Sequence, residues 1–216
     1  MPQHRILIVL TLVMLVATPS ALADAPTMRI NATDQARATS ALLHRVDFGH
    51  DWQGGQTRPS QLTAANCPGF DPKESDLIVS GHAEARFAVP QFNVSFNQDV
   101  QVLTDAASVR TDFERTIQPE LAGCLGYQIR KQAKVSNVTV ARLTFPPTGN
   151  VSAAFRASFS VKGPRGPVKF ISDYVYFGVG RLEYAFNVVA PAGPGADQLV
   201  PFEAAMAQAS ITRAAA

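Results

Sequence analysis

Residues 151–189, VSAAFRASFSVKGPRGPVKFISDYVYFGVGRLEYAFNVV, decide the fold. Ala153, Phe155, Ala157, Phe159 and Val161 alternate with Ala154, Arg156, Ser158, Ser160 and Lys162, the period of two that marks a half-buried strand. Gly163-Pro164-Arg165-Gly166-Pro167 is a turn, residues 168–179 run back, and Gly178 and Gly180 bracket a second turn into Leu182, Tyr184, Phe186 and Val188. Strands joined by turns this short are antiparallel. Upstream, Phe92, Val94, Phe96, Val100 and Val102 share one face of a further strand, and Asn93, Ser95, Asn97, Asp99 and Gln101 share the other. Residues 77–89 hold one or two shorter strands and residues 138–145 another.

Helical patterns are interleaved with these strands. Thr33 and Asp34 supply helix-start chemistry for residues 35–45, where Ala38, Leu42 and Arg45 recur at helical spacing beside Ala41, and Asp47-Phe48-Gly49 ends the segment. Residues 54–72 read as loop. Asp105 caps a second helix whose stripe is Val109, Phe113, Ile117, Leu121 and Cys124, with Pro119 set to kink or restart it. Arg130, Lys131 and Lys134 suit its negative end. Asp197 opens a last helix with Leu199, Phe202, Met206 and Ala209 inward. The expectation is a single α+β domain over residues 33–213, after a flexible lead at 24–32. Its antiparallel sheet has about five to seven strands, with helices over one face.

The 216 residues, 46% hydrophobic and 17% charged, suffice for one sizeable core and exclude a disordered chain. With 19 basic against 17 acidic residues, net +2, nothing favours nucleic acid or an anionic membrane surface as partner. Residues 1–23 read as a signal peptide: Arg5 lies before an eleven-residue apolar run, then Pro19, then Ala21-Leu22-Ala23 for the peptidase. That run is too short to span a bilayer, and no later segment is apolar enough to do so, so no integral membrane segment is expected after cleavage at Ala23. The expected location is extracytoplasmic. In an oxidising compartment Cys67 and Cys124 read as one structural disulfide, whose loop closure contributes about 4 kcal/mol in the chain-entropy model.

Motifs that carry chemistry are sparse. A G-x-S-x-G elbow, H-E-x-x-H, a P-loop and a CxxC pair are absent. His44, Asp47 and His50 would gather a metal only if the first helix ran through them; otherwise they are polar residues at a helix exit. His82-Ala83-Glu84 puts two titratable groups on one strand face, read as a solvated or cross-strand pair. Asp71, Glu74 and Asp76 read as an acidic turn rather than a calcium site. Asn31, Asn93, Asn137 and Asn150 head N-glycosylation sequons, relevant only in a eukaryotic host. No catalytic residue, metal or cofactor is assigned. One strand does favour recognition: Ile171, Val175, Phe177 and Val179 make one apolar face, and Phe170, Tyr174 and Tyr176 a second. Either the first or last helix covers that second face, or Phe170, Tyr174, Tyr176 and Trp52 line an aromatic cleft.

Three stretches carry a family likeness: ALLHRVDFGHDWQGG (41–55), CPGFDPKESDLIVSGHAEARF (67–87) and DAASVRTDFERTIQPELAGCL (105–125). They resemble exported actinobacterial proteins similar to the extracellular sensor domain of mycobacterial serine/threonine kinase H and to LpqN-type lipoproteins. The resemblance implies a PsbP-like α+β sandwich and a binding or sensing role outside the membrane. It carries over no catalytic residue. The functional expectation is therefore a secreted, non-enzymatic module recognising a small apolar ligand or an envelope partner. The alternatives are an exported hydrolase using His50, Asp51, His82 or Glu84, which needs two of those groups to converge, and a structural accessory of the cell envelope.

Overall fold

The computed structural model describes residues 24–215 apart from Ala64, Asn66 and Ala133, so the signal peptide expected at 1–23 lies outside the described residues. Eight strands, β1 (Thr27–Met28), β2 (Gln53–Thr57), β3 (Ile78–Val89), β4 (Val94–Leu103), β5 (Val135–Arg142), β6 (Val151–Gly163), β7 (Gly166–Val179) and β8 (Leu182–Pro191), form one open sheet in the order β1-β3-β4-β8-β7-β6-β5, with β2 also against β3. All pairings are antiparallel except that of β1 with β3. Four helices pack on it: α1 (Ala32–Ser40), α2 (Ala106–Thr116), α3 (Glu120–Arg130) and α4 (Leu199–Ala215).

The α+β class and the antiparallel meander are as the alternation dictates. The sheet exceeds the expected five to seven strands by its two short edge members. β1 is two residues long and falls in the stretch read as a flexible lead, where Thr27 and Met28 pair with Ile78 and Val79. β2 contains Gly54 and Gly55, which hide its period.

The first face of the sheet carries the main core. Ala83, Ala85, Phe87, Phe96, Val100, Val175, Phe177, Tyr184, Phe186 and Val188 meet Ala38, Leu42 and Leu43 from the α1 region and Met206 and Ala207 from α4. The first helix stops at Ser40, short of the expected Arg45, and its cap is Asn31, whose Oδ1 accepts from the Asp34 amide at 2.9 Å. The chain leaves the helix there because Leu42 and Leu43 turn into the core, both about 1% exposed. Gln98 shares this face. It accepts from the Leu43 amide at 2.8 Å and donates to the Ala41 carbonyl and the Ser210 hydroxyl, tying the end of α1 to α4. At Gly81 a Cβ would lie 2.2 Å from the Asp34 carbonyl oxygen, so α1 rests directly on the backbone of β3. Phe92, read as part of the β4 face, instead sits in a 3-10 turn before left-handed Asn93 and is 63% exposed.

The second face is covered too, but only in part. The helix from Asp105 restarts at Pro119 as two pieces, α2 and α3. Phe113, Leu121 and Cys124 lie on Ala153 and Phe155, and Val109 packs with Leu77 and Leu103. The disulfide Cys67–Cys124, with Cα atoms 5.3 Å apart, clips the loop before β3 onto α3. Sequence reasoning assigned any cover over the Tyr174 face to the first or last helix. Those two helices lie on the first face, and the second and third supply the cover.

Candidate functional site

Beyond the Glu183 end of β8, which α2 reaches, the second face continues across β3, β4, β8 and the adjoining half of β7 with no described helix over it. Period-two alternation aims His82, Glu84 and Arg86 there from β3, Asn97, Asp99 and Gln101 from β4, Ala185 and Asn187 from β8, and Tyr174 and Tyr176 from β7. The register brings them together: Glu84 opposes Asp99, Arg86 opposes Asn97, Asn97 opposes Asn187, and Asn187 and Ala185 oppose Tyr174 and Tyr176. The result is a cleft of about 250 Å³ whose side walls include Ser60, Glu84, Arg86, Asn97, Asp99, Tyr174, Tyr176 and Asn187.

One end of the cleft is apolar and the other charged. Tyr176 stands edge-on to Phe155, with ring centroids 6.5 Å apart. Burial pushes the Tyr174 hydroxyl up, partly offset by a hydrogen bond from Ser172, and burial with the nearby Tyr174 and Glu183 pushes Tyr176 up further. Both phenols therefore stay neutral donors. Asn187 donates to the Ser172 hydroxyl at 2.8 Å and the Asp173 carbonyl at 3.2 Å, which fixes its amide.

At the charged end His82 Nε2 lies 2.7 Å from Asp99 Oδ2 and 3.8 Å from Glu84 Oε1. Glu84 accepts from the Ser60 amide at 2.8 Å, from the Ser60 hydroxyl, and from Arg86 at 3.3 Å. Burial penalises the His82 cation, yet the hydrogen bond to Asp99 and the charges of Asp99 and Glu84 outweigh it and raise its pKa. Burial would raise Glu84, but its bonds from Ser60 and Arg86 and the charge of His82 leave it lowered. His82 Nδ1 is buried without a partner. This is not the relay of a serine hydrolase: the Ser60 hydroxyl donates to a carboxylate, and the imidazole nitrogen that a nucleophile needs is turned to Asp99.

The remaining candidates fall elsewhere. Tyr174 and Tyr176 share the cleft, but Trp52 does not join them. It stacks on Phe202 of α4 at 5.7 Å and meets Phe48 at a tilt, centroids 5.0 Å apart, at a rim of the first face. Phe170 shares the tyrosines' strand face but lies four residues away, stacked on Phe159 in a separate depression with Lys169 and Ser158. His50 and Asp51 form an exposed pair at 3.0 Å beside Trp52. The four hydrolase candidates thus fall into two separate pairs, His50 with Asp51 at the exposed rim and His82 with Glu84 beside the cleft.

His44 and Asp47 close a 3-10 turn instead of continuing a helix, and Asp47 accepts from Arg213 at 2.8 and 3.1 Å, so the spacing through His50 gathers nothing. The acidic turn also disperses. Asp71 pairs with Lys73 and Asp76 with Arg115, while Glu74 is buried and pushed up to about 8 by burial and the charge of Asp112, with Arg115 opposing.

Sequence reasoning passed over Arg86, Asn187 and Ser60. Alternation within a strand could have put Arg86 with His82 and Glu84, but only register adds Asn187, and only the tertiary path of residues 58–61 adds Ser60. Two buried acidic pairs were missed as well. Glu183 meets Asp112 of α2 beside the cleft, and burial with the Asp112 charge holds it well above the usual carboxylate range. On the first face, fully buried Glu203 stands by Asp173, which Arg156 clamps at 2.6 and 2.7 Å.

Among the described residues no helix is long and apolar enough to cross a membrane. No protein-family model, curated protein or solved structure matches this chain.

Proposed function

We propose that the chain is an exported, non-enzymatic binding module of the kind found in extracellular sensor domains, and that its ligand site is the cleft on the second sheet face. The observation that carries this reading is the convergence of Tyr174 and Tyr176 with Arg86, Asn97 and Asn187 on a stretch of the second sheet face that no described helix covers. A floor of rigid rings and amides, flanked by Asp99 and the Arg86–Glu84 pair, suits a small ligand with an apolar face and a polar edge. This reading narrows the sequence expectation of a small apolar ligand or an envelope partner to a ligand with a polar edge. The signal-peptide pattern at 1–23 and the Cys67–Cys124 bond support an extracytoplasmic location, and the three stretches at 41–55, 67–87 and 105–125 support kinship with the mycobacterial kinase H sensor domain and the LpqN-type lipoproteins.

The test is a ¹H–¹⁵N titration of the exported protein with envelope extract from an actinobacterial host. Shifts concentrated at Asn97, Asp99, Tyr174, Tyr176 and Asn187 are the expected outcome. Shifts confined to the Phe48, Trp52 and Phe92 rim, or none at all, would overturn the assignment.

A further inference from the structure

We infer that His82, Glu84 and Asp99 form a binding site for a divalent transition-metal ion, with Zn²⁺ the natural probe. The inference stands apart from the cleft's organic ligand. Each of His82, Glu84 and Asp99 offers one ligand atom, and the three atoms lie within 4.8 Å of one another. In a tetrahedral zinc site donor atoms stand roughly 3.3 Å apart. The His82–Asp99 separation of 2.7 Å and the His82–Glu84 separation of 3.8 Å bracket that spacing, so side-chain shifts of about half an ångström suffice.

Three features distinguish this cluster from a chance meeting of surface charges. First, Glu84 and Asp99 are directly opposed across β3 and β4, an arrangement of like charges that destabilises a sheet unless positive charge sits between them. Second, each carboxylate is held by outer hydrogen bonds: Glu84 accepts from Ser60 through Oε1 and from Arg86 through Oε2, and Asp99 Oδ1 accepts from Gln101 at 3.1 Å, which leaves Asp99 Oδ2 facing the imidazole. Such outer hydrogen bonds are the device by which metal ligands are aimed. Third, the His82 side chain is 1% exposed, and Gln35 grips its backbone on both sides, accepting from the amide at 3.2 Å and donating to the carbonyl at 2.9 Å.

One imidazole and two carboxylates suit a borderline ion of the zinc class better than a thiophilic one. The ion takes the place of the proton between His82 and Asp99, which passes to solvent. Glu84 and Asp99 both line the cleft, so the site borders it.

The experiment is a ZnCl₂ titration of the full exported chain, tag-free and stripped with chelator, by calorimetry and by the ¹H–¹⁵N signals of the histidine rings. One ion per chain is expected, with the His82 Nε2 resonance moving and those of His44 and His50 still. Asp99→Asn keeps shape and should weaken binding by at least about 100-fold, beyond the 10–100-fold of an outer-shell loss; His50→Ala should leave it unchanged. Circular dichroism verifies that both variants fold. No binding by the wild-type chain, or an unmoved His82 resonance, or equal affinity in Asp99→Asn, would overturn the site. A negative result here leaves the cleft's titration with envelope extract unaffected, so the two readings fail separately.

Discussion

The two faces of one sheet have opposite fates. The first is sealed by α1 and α4 from end to end, and its aromatic rows, Phe87, Phe96, Phe177, Tyr184 and Phe186, are 2% exposed or less. Its few polar groups include Gln98, tied down by three hydrogen bonds, and the acid pair Glu203 and Asp173. The second is sealed over β5, β6 and part of β7, where Ala153 and Phe155 give α2 and α3 something apolar to cover. Over β3 and the adjoining stretches of β4 and β8 the second face presents His82, Glu84, Arg86, Asn97, Asp99 and Asn187, and no described helix lies on them, α2 reaching only the Glu183 end of β8. Helices settle where the alternating pattern supplies apolar area to bury, about 25 cal/mol per Å², and leave a polar floor open. The cleft is the boundary between those two regimes.

That contrast can be broken in graded ways. The largest effect belongs to the clip on the second face. Serine at both Cys67 and Cys124 removes a constraint on a 57-residue separation and should lower stability by about 4 kcal/mol in denaturant unfolding. Native hydrogen exchange should rise first in α3 and β5, whereas an equal rise in α1 and α4 would mean that the faces unfold as one unit.

Next is the buried acid of the first face. Burial and the charge of Asp173 raise Glu203 to about 9, against an unfolded value near 4.5. The folded chain thus holds a proton that the unfolded chain has released, and Glu203 lowers stability progressively as pH rises through that window. Glu203→Gln should stabilise the protein by about 2–3 kcal/mol at pH 8 and by little at pH 4, in unfolding curves at both pH values.

Gly81→Ala pushes a methyl group into the Asp34 carbonyl and should cost about 1–3 kcal/mol, with α1 losing exchange protection. Smallest of all is the effect of emptying the cleft wall. Tyr174→Ala should change stability less than the three preceding variants do, because the ring borders solvent, while removing ligand binding.

How far these contrasts are legible in the sequence depends on range. The residues from 151 to 189 announce their strands, because alternation is local and their turns are marked by Gly and Pro. Asp105 and Pro119 likewise mark the start and restart of the α2–α3 pair. The edge strands do not announce themselves: Thr27 and Met28 are held by β3, and Gly54 and Gly55 show no side-chain period. Half of the candidate site was visible, since Tyr174 and Tyr176 stand out as a second aromatic face, and His82 and Glu84 as a same-face pair. Asp99, Arg86 and Asn187 look like ordinary wet-face residues until the strand order β3-β4-β8-β7 sets them side by side. Trp52 shows the reverse error. Its chemistry resembles that of the tyrosines, but nothing local to residue 52 says which side of the sheet it will reach. Glu203 sits in a helix stripe that reads as solvent-facing by charge alone, and only Arg156 and Asp173, from distant strands, explain its burial.

The central claim is that recognition belongs to the open part of the second face. Native mass spectrometry of the exported protein, taken without refolding, tests it most directly when wild type is compared with Tyr174→Ala and with Phe92→Ala, which alters the rim beside Trp52. A reproducible added mass is expected on wild type and on Phe92→Ala, and its loss from Tyr174→Ala. An added mass that survives Tyr174→Ala and disappears with Phe92→Ala would move the site to the first face and contradict the account.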